Sequence, residues 1–207
     1  MSISSLILNN PSGFLDSCVS MMAFKTLESF FKFVIGPSVK MANNFTALSH
    51  ACGAAGLTFS YLYLFPNNSS LYYVFSKFST GYFLYDLTHC AKHINGKLKY
   101  IYIYHHLATM LYIHNNPSIY RCAEGILWGE LSNISSYLVY YMLKTNNPNL
   151  KLMKKIQFII YAFIRIPIFG YYTYLAYITA RNKFPVYTVL PLYIMGLIWS
   201  KTLWKKL

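Results

Sequence analysis

The sequence predicts an all-α membrane protein: six transmembrane helices, with a seventh as the alternative, bundled around a polar central cavity. Three observations predict it. Of 207 residues, 56% are hydrophobic and 19% aromatic, while only 11% are charged and five are acidic; mean hydropathy is +0.35. A soluble chain of this length needs more polar side chains to cover its surface. The apolar residues gather in stretches at about 43–65, 71–91, 98–113, 119–143, 156–180 and 185–204, broken by turn residues and lysines, each of a length suited to crossing a bilayer. The cations are distributed unevenly between the gaps. One side collects Lys25, Lys32, Lys40, Lys92, Lys97, Lys99, Lys144, Lys151, Lys154, Lys155, Lys201, Lys205 and Lys206, the other Arg121, Arg181 and Lys183, with Lys77 a turn inside the second stretch. Positive charge is retained on the cytoplasmic side, so both termini are expected there.

Residues 1–40 form a separate N-terminal segment, and 41–207 the transmembrane domain. In 14–36, Lys25, Glu28 and Lys32 share one helical face and Phe24, Leu27, Phe31 and Val34 another. That pattern predicts an amphipathic helix lying on the cytoplasmic surface, with a seventh crossing as the alternative. No cleavable signal peptide is expected, because the start lacks basic residues. The first span carries His50 followed by Gly53 and Gly56, the second Asp86 and His89, and the third the doublet His105-His106. The fourth carries Glu124 and Glu130 beside Gly125 and Gly129, a spacing that lets helices approach closely. The fifth holds Arg165 two residues before Pro167, which removes a helical hydrogen bond, frees the Phe163 carbonyl and predicts a kink beside a buried charge. The sixth is apolar but for Lys201 near its end.

Ionisable groups at membrane depth are expensive, so they converge on one another or on a wet pocket. At 1.5 Å per residue, Asp86, His50, His105, His106 and Arg165 fall roughly 8–14 Å from the cytoplasmic ends of their helices, with Glu130 nearer the middle. Arg165 is expected to pair with Glu130, with Asp86 as the alternative partner. Asp86 and His89, three apart, share a face and form a candidate carboxylate-oriented imidazole. Each pair has a plainer role as well, fixing helix register without chemistry.

Several classes are excluded. The +13 charge is spread between hydrophobic stretches rather than over one soluble face, which argues against nucleic acid. Cys18, Cys52, Cys90 and Cys122 lack CxxC spacing, so neither a disulfide framework nor a zinc site is expected. His89-x-x-x-His93 with His105-His106 shares a spacing with membrane di-iron enzymes, whose boxes need more than the six histidines present. HExxH, GxSxG, P-loop and GxGxxG motifs are absent. Asn67 and Asn68 form sequons in a turn expected to lie too close to the membrane for glycosylation.

The ordered set Gly81-Tyr82-Phe83-Leu84-Tyr85-Asp86-Leu87, His105-His106-Leu107-Ala108-Thr109, Glu130-Leu131-Ser132 and Phe163-Ile164-Arg165 resembles the TLC-domain family, which groups translocation-associated membrane proteins, Lag-type ceramide synthases and CLN-type proteins. The resemblance runs from about residue 43 to the C-terminus. The stretch Leu127-Trp128-Gly129-Glu130-Leu131-Ser132-Asn133 lacks the His-Asp and further Asp of the ceramide synthases and is closer to the smaller TLC-domain proteins. The resemblance implies a barrel-like bundle enclosing a lipid-accessible cavity, in the endoplasmic reticulum or another cellular membrane, a host membrane included. It implies His105, His106 and Asp86 as the catalytic candidates, and His50, His89, Glu124, Glu130, Ser132, Asn133 and Arg165 as polar cavity residues. The expected function is binding, and acyl modification, of a sphingolipid or phospholipid, with lipid sensing or transport as the non-enzymatic form. No cofactor is expected beyond acyl-CoA as co-substrate, and the expected partners are membrane lipids. The alternative is a membrane-protein chaperone or cargo receptor without activity.

Overall fold

The computed structural model describes residues 11–115, 118–179 and 184–207, and among them every regular element is a helix. The elements are α1 (Pro11–Ile35), α2 (Val39–Phe59) continued by a π-turn (Ser60–Leu64), α3 (Ser69–His93), α4 (Lys97–Asn115), α5 (Ile119–Lys144), α6 (Leu150–Phe163) continued by a second π-turn (Ile164–Ile168), α7 (Phe169–Thr179) and α8 (Phe184–Trp204). Arg181 and Lys183, two of the cations assigned above to the far side, lie outside the described residues.

Short turn chemistry separates the helices. Ser38, Asn68 and Ser118 cap α2, α3 and α5 by accepting from the amides of Met41, Leu71 and Arg121, which satisfies donors that a helix start leaves orphaned. Asn68 therefore spends its amide oxygen on the cap. The Gly36 and Gly96 turns adopt positive φ, 108° and 71°, where a Cβ would clash with the backbone.

Six helices close into a ring in the order α2, α5, α6, α8, α4, α3 and back to α2, each packed on its two neighbours. α1 stands outside this ring in the groove between α2 and α3. It does not lie apart as a surface helix. The Ser20 hydroxyl donates to the Phe78 carbonyl at 3.2 Å, Tyr73 donates to Asp16 near the start of α1, and Phe24 meets the rings of Phe78, Tyr82 and Tyr85. These contacts run in register, so α1 is parallel to α3 along its length. Its Lys32 to Glu28 pair, 2.7 Å, offsets the charges that made the segment look like a surface helix. Gly81 permits the contact: a Cβ there would stand 2.4 Å from Ser20 Cβ and 2.8 Å from the Met21 amide nitrogen.

Polarity is distributed inside out. Buried residues include His50, Asp86, His89, His106, Glu130, Gln157 and Arg165, whereas Phe33 is 88% exposed, Phe163 65% and Ile159 64%. Among the described residues, Val186–Trp204 is the one helical stretch that is by itself long and apolar enough to cross a membrane, with mean hydropathy 1.3. The other helices carry buried polar groups and also exposed ones, among them Asp16, Lys25, Lys97, Lys151 and Lys155.

The fifth predicted span is divided between α6 and α7 by the π-turn that contains Arg165 and Pro167. Pro167 lacks an amide donor, and the widened turn accommodates this locally. The π-turn at Ser60–Leu64 has no comparable mark in the sequence.

Candidate functional site in the helical ring

The ring encloses a cavity of about 740 Å³ lined from all six of its helices and from no residue of α1. Its walls include Asn43 and Ala47 of α2, Asp86, His89 and Cys90 of α3, Tyr102, His105 and His106 of α4, Glu130 and Asn133 of α5, Tyr161 of α6 and Trp199 of α8. The mouth lies where Lys40, His93, Leu98 and Lys206 come together, at the lysine-rich ends of the helices. A second pocket of about 50 Å³ adjoins it, sharing Phe83, His105, Glu130 and Asn133 and adding Arg165, Phe169, Val189 and Leu192.

α3 and α4 build the most polar wall. Asp86 and Cys90 are one turn apart on α3, so their side chains share a face, and the thiol lies 3.7 Å from Asp86 Oδ2. His106 of α4 brings Nε2 to 2.7 Å from the same carboxylate oxygen. The ring N–H is off the line of that contact, so neither nitrogen of His106 completes a hydrogen bond. Asp86 is 8% exposed and His106 6%. The imidazole facing Asp86 is therefore His106 and not His89, as the sequence led one to expect. His89 instead lies near His93, ring centroids 4.7 Å apart, toward the mouth. His105 is half-buried, its Nδ1 enclosed without a hydrogen-bond partner and its ring 6.2 Å from Trp199.

The floor is organised by Arg165. Its Nε donates to Ser132 Oγ at 2.9 Å, and Nη2 donates to the Gly129 carbonyl and to Asn133 Oδ1, both at 3.2 Å. Phe169 covers the guanidinium at 4.7 Å, an arrangement suited to its planar, weakly hydrated cation. Among the described residues Arg165 forms no direct ion pair with Glu130, contrary to the pairing expected from depth. The link runs through Asn133, which donates to Glu130 Oε2 at 3.3 Å. The π-turn sets the side chain at this height, and Gly196 of α8 leaves room for it, since a Cβ there would stand 3.1 Å from Arg165 Cβ.

Three expected cavity residues line neither pocket: Ser132 is fully enclosed where it accepts from Arg165 Nε, and His50 and Glu124 stand elsewhere. His50 is fully enclosed, stacked on Tyr82 at 3.9 Å with an 8° interplanar angle and bordered by Phe24, Phe78 and Phe83; its Nδ1 lies 4.0 Å from Glu130 Oε1. Tyr82 lines the cavity and His50 does not. Glu124 is half-buried beside Tyr172 and lines neither pocket. Sequence reasoning missed Asn43, Cys90, Tyr102 and Trp199. Cys90 had a legible signal, its position four residues after Asp86; the others become visible only once the ring closes.

Compared with protein families, with curated proteins and with solved structures, the chain finds no match.

Proposed function

We propose that the chain is a TLC-type integral membrane protein that takes a lipid into the ring of helices and carries out acyl chemistry on it at the wall formed by Asp86, His105 and His106. The observation that carries the reading is the inside-out distribution of polarity around a cavity. An apolar outer surface of this extent suits hydrocarbon, and buried ionisable groups in such a chain mark working sites. A volume of about 740 Å³ falls within the roughly 300–1,000 Å³ that holds a drug-sized ligand. Lys40 and Lys206 at the mouth suit an anionic headgroup or the phosphates of acyl-CoA, while Val189, Leu192 and Phe169 beyond the floor suit hydrocarbon. In acyl transfer an imidazole takes the proton of an acceptor amine or hydroxyl, the acceptor attacks the thioester carbonyl, and the thiol leaves with a proton.

In this reading α2, α3, α4, α5, the α6–α7 pair and α8 cross the membrane and α1, in register with α3, crosses as a seventh. The lysine-rich ends and the C-terminus face the cytoplasm, and the Pro11 end of α1 faces the opposite side. This revises the arrangement with both termini in the cytoplasm.

The test is native mass spectrometry of detergent-purified protein, followed by incubation with acyl-CoA and mixed lipid acceptors. The reading expects a lipid carried by the wild type, and turnover that falls roughly 100-fold or more in the His105→Ala/His106→Ala variant, the usual contribution of a positioned base. Lipid bound without turnover reduces the function to binding or sensing. A wild type that carries no lipid and transfers no acyl group overturns the reading.

A further inference from the structure

We propose that Asp86, Cys90 and His106 form a zinc site in the cavity wall. This rests on that wall being the working face of the ring, and it supplies the group that would activate a lipid carbonyl there. One donor atom from each residue lies within 4.8 Å of the other two, and all three side chains are buried. In a tetrahedral zinc site the oxygen and nitrogen ligands stand about 2.0–2.1 Å from the ion and sulfur about 2.3 Å, which spaces ligand atoms roughly 3.3–3.6 Å apart. The Cys90 Sγ to Asp86 Oδ2 separation, 3.7 Å, already fits. The His106 to Asp86 separation, 2.7 Å, must open by about 0.6 Å to match that spacing, a small rotation about the side-chain bonds.

A second observation points to a ligand at this wall. Neither ring nitrogen of His106 completes a well-formed hydrogen bond, although the ring meets Asp86 at 2.7 Å and borders a cavity. Buried polar groups are normally paired, and an unpaired one costs about 1–3 kcal/mol. The pair is held face to face with the N–H off line, an arrangement poor for a hydrogen bond and suited to two donors converging on a third atom.

The donor set selects the metal. Magnesium and calcium take oxygen ligands, whereas a thiolate with an imidazole and one carboxylate suits zinc. Three protein ligands leave the fourth position toward the cavity, the arrangement of catalytic rather than structural zinc. A lipid ester or thioester oxygen bound there is polarised by the ion. His105, the next residue on α4, remains free to take the proton of the attacking amine or hydroxyl, and the displaced thiolate or alkoxide takes that proton as it leaves.

The experiment is zinc content by elemental mass spectrometry after dialysis of the detergent-purified protein against zinc and then against buffer, with cobalt substitution in parallel. The expected result is one zinc per chain in the wild type, background levels in Cys90→Ala and His106→Ala, and an unchanged value in His93→Ala. Cobalt should give a thiolate-to-metal charge-transfer band in the wild type, a readout that does not depend on a variant folding. Wild-type protein without zinc, zinc that survives Cys90→Ala in folded protein, loss in His93→Ala, or a cobalt spectrum without the thiolate band would each overturn the site. Lipid content measured on the same samples separates the two readings: lipid without zinc removes the metal alone, and zinc without lipid removes the cavity's assignment to lipid.

Discussion

On one side of Phe83 stands His50, and on the other stands His106; the Phe83 ring is within 5.4 Å of each imidazole. Both histidines are buried, and each has a carboxylate near it, Glu130 for His50 and Asp86 for His106. What differs is the space around them. His50 is enclosed by the aromatic packing that binds α1, α2 and α3 together, so nothing reaches it. His106 borders about 740 Å³ of open volume. A buried histidine is thus a packing residue on the α1 side of α3 and a candidate working group on the ring side. Free volume, rather than burial or a nearby charge, separates the two roles.

The comparison breaks most severely if the floor of the ring is removed. Arg165→Leu removes the donor to Ser132 Oγ and to Asn133 Oδ1, while the Gly129 carbonyl keeps Ser132 Oγ as a donor. The expected loss is about 3–5 kcal/mol, because each buried orphan costs about 1–3, read as a fall in thermal midpoint by tryptophan fluorescence in one detergent. Arg165→Lys keeps the charge but not the fork and should recover only part of the loss.

On the packed side, Gly81→Ala tests whether α1 is part of the fold. The new Cβ meets the backbone of Met21 as well as Ser20, so relief requires moving a helix. The expected cost is about 1–3 kcal/mol, typical of overpacking. A variant as stable as the wild type would mean that α1 is not held against α3.

The mildest change sharpens the contrast. His50→Phe keeps a flat ring between Tyr82, Phe24 and Phe78 but adds volume to a closed site, and should cost about 1–2 kcal/mol, the lower part of the overpacking range, while leaving lipid content unchanged. His106→Phe should retain the fold and lose acyl turnover. Loss of turnover in His50→Phe at full stability would contradict the division.

Much of the helical architecture was legible because hydrophobic stretches and turn residues are local signals. The six predicted apolar stretches fall on helices, α2 to α5, the α6–α7 pair and α8, with ends within about six residues, and Pro167 marked its π-turn. The place of α1 was not legible: Glu28 and Lys32 neutralise one another at i,i+4, which sequence alone cannot distinguish from a solvated face. At the site, sequence spacing proposed Asp86 with His89 because only contacts within one helix are visible along the chain. The partner came from α4 once the ring closed. Depth matching brought Arg165 near Glu130 correctly in height, yet rotation about the helix axis, which depth does not encode, directed the guanidinium to Ser132, Gly129 and Asn133. Cys90 carries no CxxC spacing signal of its own, and its place beside Asp86 in the cavity wall follows from their sharing one face of α3.

The central claim is that the polar-walled interior, and not the outer surface, receives the lipid. Photo-crosslinking with a phospholipid carrying a diazirine in its acyl chain, followed by peptide mass spectrometry, tests it directly. The expected adducts lie on interior residues such as Phe83, Tyr102 and Trp199, and a short-chain competitor diminishes them while outer-surface labelling persists. Adducts confined to outward residues such as Phe33, Ile159 and Phe163, unaffected by competitor, would contradict the account.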